Sequence, residues 1–401
     1  MRRIGIVTAA RSDYGIYQPI LRRMVEEPEL EPALFVTGMH LAPEFGLTVR
    51  AIEADGYPIA ERVDMLLSSD SPIGIAMSMG VGLMGLSQAY ARQRPELLVV
   101  LGDRFEMHTA ALAALPLLIP VAHIHGGEIS QGAFDDALRH SMTKLSHLHF
   151  VATEEAAQRV RQLGEEPWRV VTCGAPSLDH LAQTPLLSRD ELAARHGVRF
   201  FGAPPLVATF HPVTLEPGQA ADHIRELLAA LKMCGQPVIF TSPNADPEGR
   251  LIREHIDAFV AHQPQAQWVS TLGTQAYFSL MSVAAAMVGN SSSGLIEAPS
   301  FGLPVVNIGT RQEGRTRDRN VIDVGYNRQQ IAEGIRRALS AAFRGQLRGL
   351  VNPYGDGHAS ERIVQRLREV ALDSRLLKKR FVTHPVGRST QATRPEAAYV
   401  A

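Results

Sequence analysis

Short runs of aliphatic and β-branched residues recur along most of the chain, each followed by a glycine or polar turn and then an amphipathic stretch. Residues 3–8, 34–37, 97–101, 121–125, 148–152 and 170–173 read as strands, and residues 17–26, 106–115, 135–146 and 154–163 as helices between them. Strands this apolar, alternating with helices, predict a parallel sheet covered on both faces. Residues 176–205 break the pattern with four prolines and one short helix at 189–196. It then restarts, with strands at 206–210, 238–241, 286–289 and 305–308 and helices at 221–233, 251–261 and 295–301. Two α/β halves joined by a linker predict a cleft, and ligands in such sheets gather beyond the carboxyl ends of the strands. Residues 361–380 read as one long basic helix, and the polar remainder from 384 as a disordered tail. The methionine- and glycine-rich stretch 77–84 reads as a flexible helix or core segment without chemistry of its own.

Composition narrows the class without changing this picture. The 401 residues are 45% hydrophobic and 20% charged, with 40 Lys plus Arg against 41 Asp plus Glu. That balance excludes the basic excess of a general nucleic-acid binder. The two cysteines, Cys173 and Cys234, have no metal-ligand spacing and are read as free thiols. The basic pair at the start leads into a buried first strand rather than a signal peptide. No apolar run approaches the ~18–20 residues of a membrane span, so a cytoplasmic protein is expected.

Polar motifs sit just after the predicted strands. Arg11 and Ser12 follow the first strand and open a helix, where an N-terminus and a guanidinium suit an anion. Gly102-Asp103-Arg104 puts an acid and a base at the end of a very apolar strand. His123, His125, Glu128, Asp135, Arg139 and His140 form the densest titratable group, and a period of two would set His123 and His125 on one face. Carboxylates and histidines with divergent pKa values suit proton transfer at carbon; a divalent metal is the other use of such a set, although no H-E-x-x-H spacing occurs. His211 follows the first strand of the second half, where it could bond phosphate or shuttle a proton. Gly289-Asn290-Ser291-Ser292-Ser293-Gly294, with Glu297 a turn later, reads as an anion nest at a helix start. Arg311 and Arg315 enter after the strand at 305–308. Dinucleotide and Walker glycine patterns are absent, as is G-x-S-x-G.

In order and spacing these motifs resemble the hydrolysing branch of the UDP-N-acetylglucosamine 2-epimerase family, of the bacterial sialic acid capsule type. The resemblance runs over roughly residues 2–380 and includes Lys144-Leu145-Ser146-His147-Leu148-His149 and Tyr354-Gly355-Asp356-Gly357. It implies an α/β fold of two Rossmann-like domains of the glycosyltransferase-B type, with a cleft between them and a C-terminal crossover helix. The implied boundaries are 1–178 and 179–360, then 361–383 crossing back and a tail at 384–401. It implies UDP held mainly by the second domain through Asn290, Ser291, Ser292, Glu297 and Arg311. Arg11, Ser12, Arg104 and Arg139 complete the substrate-binding set, and Asp103, Asp135 and His211 belong to the catalytic one. His125 stands where some members carry Glu, so His125 or Glu128 takes that work. No cofactor and no metal are implied. The expected partners are a UDP-sugar and further copies of the chain, as dimer or tetramer, and neither nucleic acid nor membrane. The implied reaction eliminates UDP to a glycal and hydrates it, releasing N-acetylmannosamine from UDP-N-acetylglucosamine. The alternatives are the same reaction on UDP-2,4-diacetamido-2,4,6-trideoxyglucose or a GDP-linked sugar, a glycosyltransferase of the same fold, or a UDP-sugar sensor.

Overall fold

Two parallel sheets organise the computed structural model, which describes residues 1–383 other than 70, 132–133, 214, 242–247 and 270–271, with 182 and 183 described by backbone alone. The tail expected at 384–401 lies outside the described residues. The first sheet holds β1 (Arg2–Thr8), β2 (Leu30–Thr37), β3 (Ile59–Val63), β4 (Leu97–Leu101), β5 (Val121–Ile124), β6 (Leu148–Val151) and β7 (Val170–Thr172), in the order β3-β2-β1-β4-β5-β6-β7. The second holds β8 (Leu206–Thr209), β9 (Val238–Thr241), β10 (Ala266–Val269), β11 (Ala286–Gly289), β12 (Val305–Ile308) and β13 (Val321–Val324), in the order β10-β9-β8-β11-β12-β13.

The continuous apolar runs are explained by burial on both faces. Along β4, Leu97, Val99 and Leu101 enter one core, with Tyr17 and Ile20 of the helix Arg11–Glu26, while Leu98 and Val100 enter another, with Tyr90, Met107 and Ala110. The second sheet repeats this: Leu206 and Ala208 pack on one side and Val207 on the other. Each fully buried Leu, Ile or Val contributes about 1.5–3 kcal/mol relative to exposure.

The strand order reverses direction between β1 and β4, and again between β8 and β11. At such switch points the loops leave toward opposite faces and open a crevice. Residues 8–13 and 102–104 therefore meet at one crevice, and residues 209–212 and 289–293 at the other. Close approach at the second requires glycine: Gly289 has φ 138°, and a Cβ there would collide with the Thr209 carbonyl oxygen.

Several sequence expectations are corrected. The first helix begins at Arg11, six residues earlier than 17, because the Asp13 carboxylate accepts the N–H groups of Ala9 and Ala10 and caps it. The stretch 77–84 belongs to a 22-residue helix, Pro72–Gln93, started by Ser71, whose hydroxyl accepts the Gly74 N–H, and by Pro72. By length and composition this helix could cross a membrane. Glycines and serines interrupt its apolar run in the sequence, and its inner face, with Leu86, Ala89 and Tyr90, is part of the first sheet's core. The helix expected at 295–301 is a single turn, Ser293–Ile296, followed by a 3-10 turn at Ala298–Phe301, since Pro299 has no N–H to continue an α-helix.

The long helix expected at 361–380 is two pieces, Ala359–Glu369 and Ser374–Leu377, the second capped by the Asp373 carboxylate. Ile363, Val364, Leu367, Val370 and Leu376 all enter the first sheet's core, so this segment crosses back to the first half. Arg169 fixes it, donating to the carbonyls of Leu376 at 2.8 Å and Arg375 at 2.8 Å. Glu165 pairs with Lys379 at 2.8 Å, Lys144 at 2.6 Å and His149 at 3.1 Å. The Lys144–His149 motif thus anchors the C-terminal segment and takes no part in the cleft. Cys173 is buried and Cys234 half-buried, both as free thiols.

Candidate active site

A cavity of roughly 240 Å³ lies between the two crevices. Its first wall carries Ser12, Asp103, His125, Glu128, Asp135 and Arg139, and its second Ser292, Arg311, Gln312 and Arg315. Ile16, Ile75, Phe105 and Phe134 are apolar residues of its lining from the first half.

The centre of the first wall is a buried set of charges. β5 ends at Ile124, and His125 turns out of the strand with φ 63°, its N–H still donating to the Phe150 carbonyl at 2.9 Å. Leaving extended geometry cancels the period of two, so the expectation that His123 and His125 lie on one face is corrected. His123 is fully buried, and its Nε2 donates to the Gly102 carbonyl at 2.6 Å; burial pushes it down to about 3. His125 instead faces the cavity, with Nδ1 2.5 Å from Glu128 Oε1. An ionised carboxylate only accepts, so Nδ1 carries a proton, and in the neutral ring Nε2 is the acceptor. A left-handed, non-glycine residue at a cavity stores backbone strain of order 1–3 kcal/mol. Gly127 completes the turn, since a Cβ there would collide with the Ala156 carbonyl.

Glu128 Oε2 also lies 3.5 Å from Arg139 Nη1 and 3.7 Å from Arg315 Nη1. Burial works to raise this carboxyl, but His125 and Arg315 outweigh it and hold it below the usual range. Arg139, fully buried, reaches back to the Asp103 carboxylate and donates to Ser130 Oγ at 3.2 Å. Asp103 is therefore neutralised by Arg139, not by its neighbour. Arg104 turns away to the buried Glu106, at 2.7 Å and 3.1 Å, because Arg104 caps the helix Phe105–Ala114 and Glu106 lies in its first turn. Arg104 makes this ion pair while also lining the cavity. Asp135 begins the helix Asp135–Leu145 and borders the cavity.

On the second wall Asn290 is a brace. Its Oδ1 accepts the His211 N–H at 2.7 Å and its Nδ2 donates to the His211 carbonyl at 2.8 Å. Its own carbonyl accepts from Arg311 at 3.2 Å and Gln312 at 2.8 Å. Through these bonds Asn290 locks β8 to β11 and orients the arginine loop, and it lies outside the cavity lining. His211 is buried behind it and outside the cavity lining. Glu297 accepts the Ser177 hydroxyl at 2.6 Å, and burial raises its carboxyl. Arg11 is exposed at the start of its helix, its guanidinium lying over Gly273 of the second half.

Sequence reasoning gave no role of their own to Asp13, Glu106, Ser130 and Gln312. Asp13 is buried beside the cavity, and desolvation raises it to about 6 despite Arg104. Its capping role was readable only once the helix start was known. Among the described residues, no three His, Cys, Asp or Glu side chains converge as a metal site.

The family model described as UDP-N-acetylglucosamine 2-epimerase matches residues 22–368. The chain is 37% identical over 381 residues to the UDP-N,N'-diacetylbacillosamine 2-epimerase (hydrolyzing) of Legionella pneumophila, covering 94% of this chain and 99% of that one. It is 36% identical over 384 residues to the GDP/UDP-N,N'-diacetylbacillosamine 2-epimerase (hydrolyzing) of Campylobacter jejuni, covering 95% and 99%. The structure of the UDP-N-acetylglucosamine 2-epimerase from Neisseria meningitidis, bound to UDP-N-acetylglucosamine, superposes with a TM-score of 0.78 at 18% identity, covering 92% of this chain and 99% of that one. That likeness shows a common fold of two Rossmann-like domains.

Proposed function

The chain belongs to the UDP-N-acetylglucosamine 2-epimerase family, in its hydrolysing branch, and on that premise we propose that it releases UDP from a UDP-2-acetamido sugar with inversion at C2. The observation that carries this reading is the single cavity in which Asp103, His125, Glu128 and Asp135 face Ser292 and Arg311. Residues 1–178 supply the proton-transfer wall, residues 179–360 the UDP wall, and residues 361–383 tie the second to the first. In the first stage the C1–O bond breaks, its electrons leave with UDP, and a base takes the C2 proton. Water then adds at C1 of the glycal, and a proton returns to C2 on the opposite face. His125 Nε2 is the base best prepared for such transfer: Glu128 orients the ring and steadies its cation, as a carboxylate does for a catalytic histidine. Asp103 and Asp135 are the partners for the second proton. Charge grows on the departing diphosphate, so preorganised donors on the second wall act mainly there.

Between the two UDP-sugars weighed from the sequence, beside which a GDP-linked sugar was the further alternative, the apolar lining residues Ile16, Ile75, Phe105 and Phe134 favour the 2,4-diacetamido-2,4,6-trideoxy sugar. Its C6 methyl and second acetyl methyl bury on such a wall, where the C4 and C6 hydroxyls of N-acetylglucosamine would lose water without a partner. Incubating the enzyme with each UDP-sugar alone and following products by NMR tests both levels. Turnover of neither sugar removes the hydrolysing reading; a higher kcat/KM for UDP-N-acetylglucosamine removes the diacetamido preference.

Arg311→Ala and the double change Ser291→Ala/Ser292→Ala are expected to weaken UDP binding, each lost charge-assisted bond costing ~1.5–3 kcal/mol. Calorimetry with UDP measures this directly, and wild-type affinity in both variants would remove the second-wall assignment. The proposal includes a homo-oligomer. Ile73, Met77 and Met84 are 73%, 57% and 63% exposed along the outer face of the helix Pro72–Gln93, at a spacing that forms one stripe. Met77→Glu/Met84→Glu should give a monomer by light scattering where the parent chain is a dimer or tetramer. A monomeric parent ends this part of the proposal.

A further inference from the structure

The loop after β12 touches both walls of the cavity. At its start Arg311 and Gln312 hold the Asn290 carbonyl, at 3.2 Å and 2.8 Å. Three residues on, Arg315 crosses to the first half, where its Nη2 and Nε donate to Ser130 Oγ at 3.1 Å and 3.3 Å and its Nη1 lies 3.7 Å from Glu128 Oε2. The crossing is backed on each side: Gln131 donates its N–H to the Glu313 carbonyl at 3.4 Å, and Thr316 its hydroxyl to Glu155 at 2.6 Å. A Cβ at Gly314 would press on Ile129 at 2.5 Å, so the loop lies close against the first half. The Arg315 side chain is 11% exposed, and Ser130 is buried.

We propose that Arg315 is a positioning residue for the acid–base pair, making the ionised, His125-bound form of Glu128 depend on the same loop that holds the diphosphate. The inference rests on the reading of His125 and Glu128 given above. Glu128 is faced by His125 and His123 from β5 and its turn, by Arg139 with Asp103 behind it, by Tyr354 from the stretch that precedes the crossover segment, and by Arg315 from the loop after β12. Of these, Arg315 alone belongs to the loop carrying Arg311. A diphosphate that draws Arg311 into place settles the loop and sets Arg315 on Glu128. Glu128 then holds the Nδ1 proton of His125 and leaves Nε2 free for C2. When the loop is out of place, Glu128 keeps one arginine fewer and binds a proton more readily, and the dyad loses its orienting charge.

The test is Arg315→Met and Arg315→Lys in the full chain, with kcat followed across pH and UDP affinity measured by calorimetry. Arg315→Met is expected to lower kcat by about 10- to 100-fold, the range of one charge-assisted bond, with UDP affinity near wild type. Its acidic limb should move to higher pH, because Glu128 is no longer held down by that guanidinium. Lys restores the charge without the fork and should bring the limb most of the way back. A wild-type kcat and profile in Arg315→Met overturns the proposal, as does a loss of UDP affinity as large as that of Arg311→Ala. A fall in kcat with an unmoved limb and no rescue by Lys shows packing alone and overturns it too. Glu128→Gln with wild-type turnover would instead sink the underlying dyad, whatever Arg315 does.

Discussion

His125→Ala and Asp103→Asn should each lower kcat by ~10²–10⁴-fold, the usual worth of general acid–base assistance, while UDP binds almost as before. Hydrogen at C2 of a sugar is weakly acidic, so its removal needs a base whose lone pair is already aimed and whose cation is already compensated. His125 has both features: Nδ1 is fixed on Glu128 at 2.5 Å, and Glu128 is itself held by Arg139 and Arg315. Glu128→Gln keeps an acceptor for Nδ1 but removes the charge, so its loss should be smaller than that of His125→Ala. Asp103 differs in kind, since it lies on the far side of Arg139 and is 21% exposed to the cavity. In heavy water, the product should carry deuterium at C2, because the returned proton comes from a group that exchanges with solvent. Wild-type turnover in both His125→Ala and Asp103→Asn, or a product without deuterium at C2, would end the elimination mechanism. A Glu128→Gln variant that is dead beside an active His125→Ala would transfer the base to Glu128.

The central strands and the edge strand β7 were legible in the sequence, and the edge strands β3, β10 and β13 were not, for one physical reason. β4, β5, β8 and β11 lie inside their sheets with both faces covered, so every position but His123 in β5 and Thr209 in β8 is apolar or glycine. β3, β10 and β13 lie at sheet edges and carry Glu61 and Arg62, Gln267, and Asp323 on their open sides, which breaks the hydrophobic run that identifies a strand. The same logic separates the site residues. Asp103, His125, Glu128 and Arg311 stand directly after central strands, where chain order alone puts them at a carboxyl end. What chain order does not contain is pairing across the fold. Nothing local says that Arg139 serves Asp103 or that Asn290 braces His211. Each of those partners is chosen by which strand neighbours which, and by the need of a buried charge to find its opposite. Arg315 stood out in the sequence only as one of two arginines in a polar loop, because its partners, Glu128 and Ser130, are more than 180 residues away.

Arg139→Met should cost more stability than any other single change at the site. Arg139 is 1% exposed and joins the two acids of the proton-transfer wall, donating to the Asp103 carboxylate and lying 3.5 Å from Glu128. The position is not an easy one for a cation, since burial and the nearby Arg315 both push the guanidinium down from its ordinary value. It is held there because two carboxylates surround it. Methionine fits the space but leaves Asp103 without its cation and Glu128 with His125 and a single arginine, Arg315. Breaking a buried pair from one side costs about 3–5 kcal/mol, which in a domain of this size lowers the melting temperature by roughly 6–20 °C. Arg139→Lys should fall between, because one ammonium does not reach both acids with the geometry of a planar fork. Turnover should fall in both variants, as the charge that steadies Glu128 and Asp103 together is gone. The double variant Arg139→Met/Asp103→Asn separates the two causes. If Asp103 is the stranded charge, neutralising it should return part of the lost stability, giving a coupling energy within the ~0.5–3 kcal/mol seen for residues in contact, with turnover still low. A melting temperature for Arg139→Met indistinguishable from wild type, or strictly additive losses in the double variant, would show that Arg139 does not hold this wall together.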